Sequence, residues 1–261
     1  MAVYEDHPTS QIVKMFLLGT SGTGKTGSLA SLALNGYRLR IADFDKGYDI
    51  LVNAIKEADS SKLANLDIIS FRDKQKYSSS GLVMDGMPSA YNNFLKALDK
   101  WDDGSTPAEW GPNDILVIDT LTTLGTAAFN WYNALNPAAK DKRSIVLLAQ
   151  NAIEALMMKI TDVAFNTNVI VISHLDFQGG NDGVPLKGYA SSVGKALGPK
   201  LPKYINTLVL AETVGQGTNV KRKIRVTPNG IVDTKTANPF KINADLPIET
   251  GLHTLFTTLK G

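Results

Sequence analysis

The sequence predicts an α/β fold: a mainly parallel central sheet flanked by helices, with an antiparallel hairpin towards the C-terminus. Three observations predict it. Apolar runs alternate with helix-like stretches from Gln11 to about Leu210, the pattern that builds parallel strands joined by crossover helices. The run Ile115–Leu116–Val117–Ile118 is apolar at every position, as a strand buried on both faces requires. Late in the chain, Thr207–Glu212 and Lys221–Thr227 read as two strands joined by a turn over Val214–Asn219.

The elements follow in order. Ile12–Leu18 reads as the first buried strand, and a Gly-rich turn leads into a helix of small residues from Lys25 to Asn35. Gly36 ends that helix, since glycine accepts the left-handed conformation found just past helix C-termini. Tyr37–Ala42 and Leu66–Phe71 are the next strands, and a helix spans about Pro88–Trp101. Asn113 and Asp114 then lead into the 115–118 strand. Two helical stretches flank a break at Asn136–Lys142, and Val169–Ser173 is another buried strand. Asp176–Gly198 is rich in glycine, lacks periodicity and reads as a mobile loop. With no repeat and no long linker, the expected organisation is an N-terminal extension over 1–11, one catalytic core over 12–240, and a tail over 241–261 packed on that core.

Composition sets outer bounds. A chain of 261 residues with 43% hydrophobic residues buries enough surface to need no covalent staples. It has no cysteine, which excludes disulfides and thiolate metal sites and fits a reducing cytoplasm. No basic-then-apolar leader opens the sequence and no uninterrupted apolar run has the length of a membrane span, so no membrane partner is expected. The net charge of +2 is too small for binding nucleic acid through bulk charge, so any such contact must be local.

Gly19-Thr20-Ser21-Gly22-Thr23-Gly24-Lys25-Thr26 matches G-x-x-x-x-G-K-[ST] in full, with Gly27 following. Glycines let successive backbone N–H groups turn towards phosphate oxygens, and the helix behind them adds its positive end. Lys25 would reach the β- and γ-phosphates, and the Thr26 hydroxyl would ligate Mg²⁺. The motif therefore calls for a nucleoside triphosphate, expected as ATP, and Mg²⁺. Asp119, closing the 115–118 strand, is the candidate metal acid; it could also cap the helix that follows, together with Thr120. Asp43, Asp45 and Asp49 follow the second strand. They are either a solvated acidic loop or a source of the group that orients the attacking water, and Asp45 is the favoured one. His174, at the end of the 169–173 strand, is either a γ-phosphate contact or an ordinary loop histidine.

Together these residues resemble a RecA-type core over roughly Gln11–Phe240. Residues 41–49 (IADFDKGYD) are similar to the segment in which a strand ends in an acid-x-acid pair whose second member is catalytic. The resemblance puts that role on Asp45, where the family carries glutamate. Ile115–Asp119 resembles the metal-binding strand. Val169–His174 resembles the strand whose terminal amide senses the γ-phosphate and moves a DNA-binding loop, which places the sensor at His174 and the loop at Asp176–Gly198. Val232–Phe240 looks like the stretch whose lysines reach a neighbouring subunit's nucleotide; Lys235 matches one of them and Asp233 stands in place of the other.

The chain most resembles the short RecA-like single-strand annealing proteins of bacteriophages. That resemblance implies a phage-encoded ATPase acting in the host cytoplasm on single-stranded DNA, as a homo-oligomeric ring or filament, beside single-strand-binding or other replication and recombination proteins. Lys187, Tyr189, Lys195 and Lys200 supply the cation-plus-aromatic mixture suited to single strands, although such lysines also occur on plain solvated loops. Two alternatives stay open: a RecA-like switch or motor acting on proteins, and a small-molecule kinase with a lid after His174.

Overall fold

The structure is a computed structural model that describes residues 11–79, 81–180, 183–215 and 217–261. Nearly all of the expected N-terminal extension, 1–10, lies outside the described residues. The elements run β1 (Lys14–Leu18), α1 (Lys25–Ser28), α2 (Ala30–Leu34), β2 (Arg38–Asp43), α3 (Asp49–Asp59), β3 (Leu66–Ser70), β4 (Gln75–Ser78), β5 (Gly81–Met84) and α4 (Ala90–Asp99). They continue with β6 (Gly111–Asp119), α5 (Leu121–Leu135), α6 (Lys142–Thr161), β7 (Thr167–Ser173), β8 (Leu175–Gln178), β9 (Lys187–Ala190), β10 (Thr207–Val214), β11 (Lys221–Arg225), β12 (Asp245–Pro247) and α7 (Gly251–Lys260).

The main sheet has the order β12-β11-β10-β1-β7-β6-β2-β3. Its six strands from β10 to β3 are mutually parallel, β11 runs antiparallel to β10, and β12 runs antiparallel to β11. Side chains of a strand alternate between faces, so continuous apolar runs feed two cores at once. Phe16, Leu18, Leu116 and Ile118 join a core with α4, α5 and α6. Met15, Leu17, Ile115 and Val117 join another with α2, α3 and α7, including Leu32, Ile55, Leu252 and Phe256. By length and composition α6 could cross a membrane; here Ala149, Ile153, Leu156 and Ile160 bury one side of it in the first core.

One region differs from the expectation. Within the span 176–198, expected as an irregular loop, β8 and β9 pair antiparallel from Leu175↔Ala190 to Gln178↔Lys187. Gly188 makes this possible, because a Cβ there would lie 2.9 Å from Val232 Cγ2 and 3.1 Å from the Phe177 ring. Residues 241–261 add β12 to the sheet edge and set α7 beneath it, where Phe256 meets the Tyr37 ring edge-on at 5.5 Å.

The order places β7 between β1, which leads into the Gly-rich turn, and β6, which ends in Asp119. Parallel strands deliver their C-terminal ends to one edge, so Leu18, Asp43, Asp119 and Ser173 finish side by side.

Candidate nucleotide site

The turn after β1 is held by its own backbone. Gly19 has no room for a side chain, since a Cβ would sit 2.5 Å from the Ala211 carbonyl oxygen. Gly22 and Gly24 have φ of 77° and 90°, the left-handed region that favours glycine. Thr23 Oγ1 donates to the Thr20 carbonyl at 2.9 Å. Lys25 Nζ spans the turn and donates to the carbonyls of Gly19 (2.9 Å) and Thr20 (2.7 Å). Burial pulls the Lys25 ammonium below its ordinary pKa, while Asp119 and Asp45 work against that shift.

Thr26 Oγ1 donates to Asp119 Oδ2 at 2.8 Å. Asp119 is 2% exposed, and burial raises its carboxyl to about 6. The Thr26 hydrogen bond and Lys25 oppose the rise, whereas Asp45 and Asp43 add to it. The three acids after β2 have separate jobs. Asp43 is buried and structural: its Oδ1 accepts from the Asp45 and Lys46 amides, and its Oδ2 accepts from Ser70 Oγ and Arg72. These bonds fix a tight turn in which Lys46 takes φ 60°, and the turn aims Asp45 into the cleft. Asp45 Oδ2 accepts from Thr120 Oγ1 at 2.9 Å and lies 3.7 Å from His174 Nε2. Asp49 begins α3. Burial and the charge of Lys25 lower the His174 pKa, with Asp45 pulling the other way.

Lys25, Thr26, Asp45, Asp119, Thr120 and His174 line one cleft of about 560 Å³, together with Ser21, Gly22, Gly24, Gly27 and, on α3, Ile50 and Ala54. Lys235 is elsewhere: its backbone pairs with Leu208 and its Nζ donates to the Pro202 carbonyl at 2.6 Å. Lys187 is engaged with Asp233 at 2.9 Å. Tyr189 is half-buried on β9, and Lys195 and Lys200 are exposed beyond it.

Sequence reasoning missed the far wall of the cleft, made by Arg222, Ile248 and Glu249. Arg222 Nε donates to the Gly22 carbonyl at 3.0 Å across 200 residues of chain. No local pattern signals such a contact; the only cue is the basic run Lys221-Arg222-Lys223 in a strand of the predicted hairpin.

The parallel sheet, the phosphate loop at the end of β1 and the Thr26–Asp119 pair define a RecA-like P-loop ATPase. The AAA domain family (AAA_24) matches residues 12–237, and the chain belongs to that family. Solved structures similar to it include a KaiC-like protein from Pyrococcus horikoshii, with 11% identity, TM-score 0.46, and 89% of this chain and 83% of that one covered. Another is the flagellar accessory protein FlaH from Methanocaldococcus jannaschii, with 12% identity, TM-score 0.46, and coverage of 94% and 91%. No curated protein matches the chain.

Proposed function

We propose that the chain hydrolyses Mg²⁺–ATP and works as an oligomer on single-stranded DNA. The observation that carries the ATPase reading is one cleft in which Lys25, the Thr26–Asp119 pair and the Asp45–Thr120–His174 group converge at adjacent strand ends. Among the described residues no cluster of three acids or histidines could hold a metal alone. The donor set fits Mg²⁺, which takes one or two protein oxygens and fills its shell with phosphate oxygens and water. Thr26 Oγ1 would hold the ion, with Asp119 orienting that hydroxyl. The ion supplies positive charge beside the phosphate oxygens.

The chain's own residues do the rest. Loop N–H groups and Lys25 bind the phosphates, with the ammonium exchanging two backbone carbonyls for phosphate oxygens. Asp45, with one oxygen held by Thr120, is placed to orient a water and accept its proton. His174 stands beside that carboxylate and its backbone runs directly into β8. A change at the terminal phosphate therefore bears on the hairpin next to the exposed Lys195 and Lys200, which supports the DNA reading. Support for the oligomer comes from Lys235, which is exposed, outside its own cleft, and tied to a single carbonyl.

The test is the ATPase rate with and without single-stranded DNA, paired with molecular sizing with and without ATP. Stimulation by DNA and an ATP-dependent increase in mass are expected. DNA-independent turnover by a monomer, unaltered in Lys195→Glu/Lys200→Glu, would refute the DNA and oligomer parts and leave a protein-directed switch or a kinase.

A further inference from the structure

We propose that β11 and residues 245–249 form the nucleoside-recognition wall of this cleft, with Ile248 beneath the base and Glu249 accepting from the sugar hydroxyls; the proposal rests on the triphosphate reading above. The cleft has two ends. Lys25, Thr26, Asp119, Asp45 and His174 crowd one of them, and Arg222, Ile248 and Glu249 make the other, with the phosphate loop between. A phosphate chain whose last member lies at the acidic end must leave the loop towards the opposite wall. Between these ends, a Cβ on Gly47 would lie 3.8 Å from Thr26 Oγ1, beside the metal end, and Ile50 and Ala54 of α3 line the same cleft.

The wall is built onto the loop. Arg222 Nε holds the Gly22 carbonyl at 3.0 Å. A Cβ on Gly24 would lie 3.1 Å from Ile248 Cγ1 and 3.2 Å from Arg222 Cδ. Carrying the β11–β12 register one pair past Lys223↔Pro247 sets Ile248 beside Arg222. Ile248 is anchored in the core at 7% exposure, yet it still lines the cleft. It therefore offers the rigid apolar surface on which a base would rest. Glu249 is exposed, and among the described residues it has no hydrogen-bond or ion-pair partner. An ionised carboxylate only accepts, which matches hydroxyl donors of a sugar. Residues 245–249 also lie beyond the family match at 12–237, whereas β11 lies within it.

The experiment compares binding of ATP and of inorganic tripolyphosphate, both with Mg²⁺, to wild type, Ile248→Ala and Glu249→Gln, with ligand-free thermal unfolding of each. Wild type should favour ATP, and each variant should lose about tenfold in ATP affinity while holding tripolyphosphate within about twofold. Variants that weaken both ligands alike would overturn the proposal. So would a Glu249→Gln that shifts only the unfolding temperature, as expected if the residue merely complements the α7 dipole. Loss of ATP preference in Ile50→Ala but not Ile248→Ala would move the nucleoside to α3 and also refute it. Wild type that binds neither ligand would overturn the triphosphate reading itself, and this proposal with it.

Discussion

Replacing Asp119 by asparagine should stabilise the nucleotide-free protein while abolishing its activity. Asp119 is 2% exposed and its carboxyl is raised to about 6 from an ordinary 3.8. Each pKa unit corresponds to about 1.4 kcal/mol, so the ionised carboxylate costs the fold about 3 kcal/mol. The sign follows from proton counting. Between 3.8 and about 6 the folded state holds more protons than the unfolded one, so stability falls as pH rises through that window. The cost is complete above the folded pKa and absent below the unfolded one.

Asparagine avoids that cost and keeps an oxygen for Thr26 Oγ1, now 2.8 Å from Asp119 Oδ2. The weaker neutral hydrogen bond returns about 1 kcal/mol. Asp119→Asn should therefore gain about 2 kcal/mol at pH 8, or roughly 4 °C in Tm for a chain of this size. The assay is thermal or urea unfolding of both proteins at pH 8 and pH 4 without nucleotide or Mg²⁺. The gain should shrink to nothing, or reverse slightly, at pH 4. A variant destabilised at pH 8, or shifted equally at both pH values, would refute the argument that burial of this charge is a cost retained for function.

Asp45→Asn should lower the ATPase rate by on the order of a hundredfold while nucleotide still binds, because it removes the proton acceptor and leaves the phosphate loop intact; turnover and equilibrium binding separate the two. Gly24→Ala forces a side chain into φ 90° against Ile248 and Arg222, so a loss of about 1–2 kcal/mol with weakened ATP binding is expected from unfolding and titration. Arg40, 4% exposed, bonds Asp103 and Asp114 at 2.6 and 3.0 Å and lies over the Trp110 ring. Arg40→Met takes the ion-pair partner from Asp114 and leaves Asp103 to Arg38 at 3.6 Å and to Ser105, and it should cost about 2 kcal/mol in urea unfolding without altering the cleft.

The sheet was legible where burial on both faces wrote itself into composition: residues 15–18 of β1, 115–118 of β6 and 169–172 of β7 are apolar without interruption. The phosphate loop was legible because its chemistry fixes residue types at fixed spacing. Elements held mainly by distant partners were not. β4 and β5 form a hairpin with little buried surface, Tyr77 being 91% exposed, so no core-facing period marks them. Residues 43–49 read as an acidic loop, and α3 beyond it went unseen although Leu51 and Ile55 face the core. β12 is three residues long and exists through its register with β11, while α7 is rich in threonine, a weak helix former, and is held by Leu252, Leu255 and Phe256. Arg222, Ile248 and Glu249 enter the cleft only because that edge closes against the phosphate loop.

The central claim, an ATPase site assembled from Lys25, Asp45 and Asp119, is tested most directly by single-turnover hydrolysis of Mg²⁺–ATP with wild type, Asp45→Asn and Lys25→Ala. Wild type should bind and release phosphate, Asp45→Asn should bind ATP and hold it intact, and Lys25→Ala should do neither. Equal phosphate release by all three proteins would contradict the account.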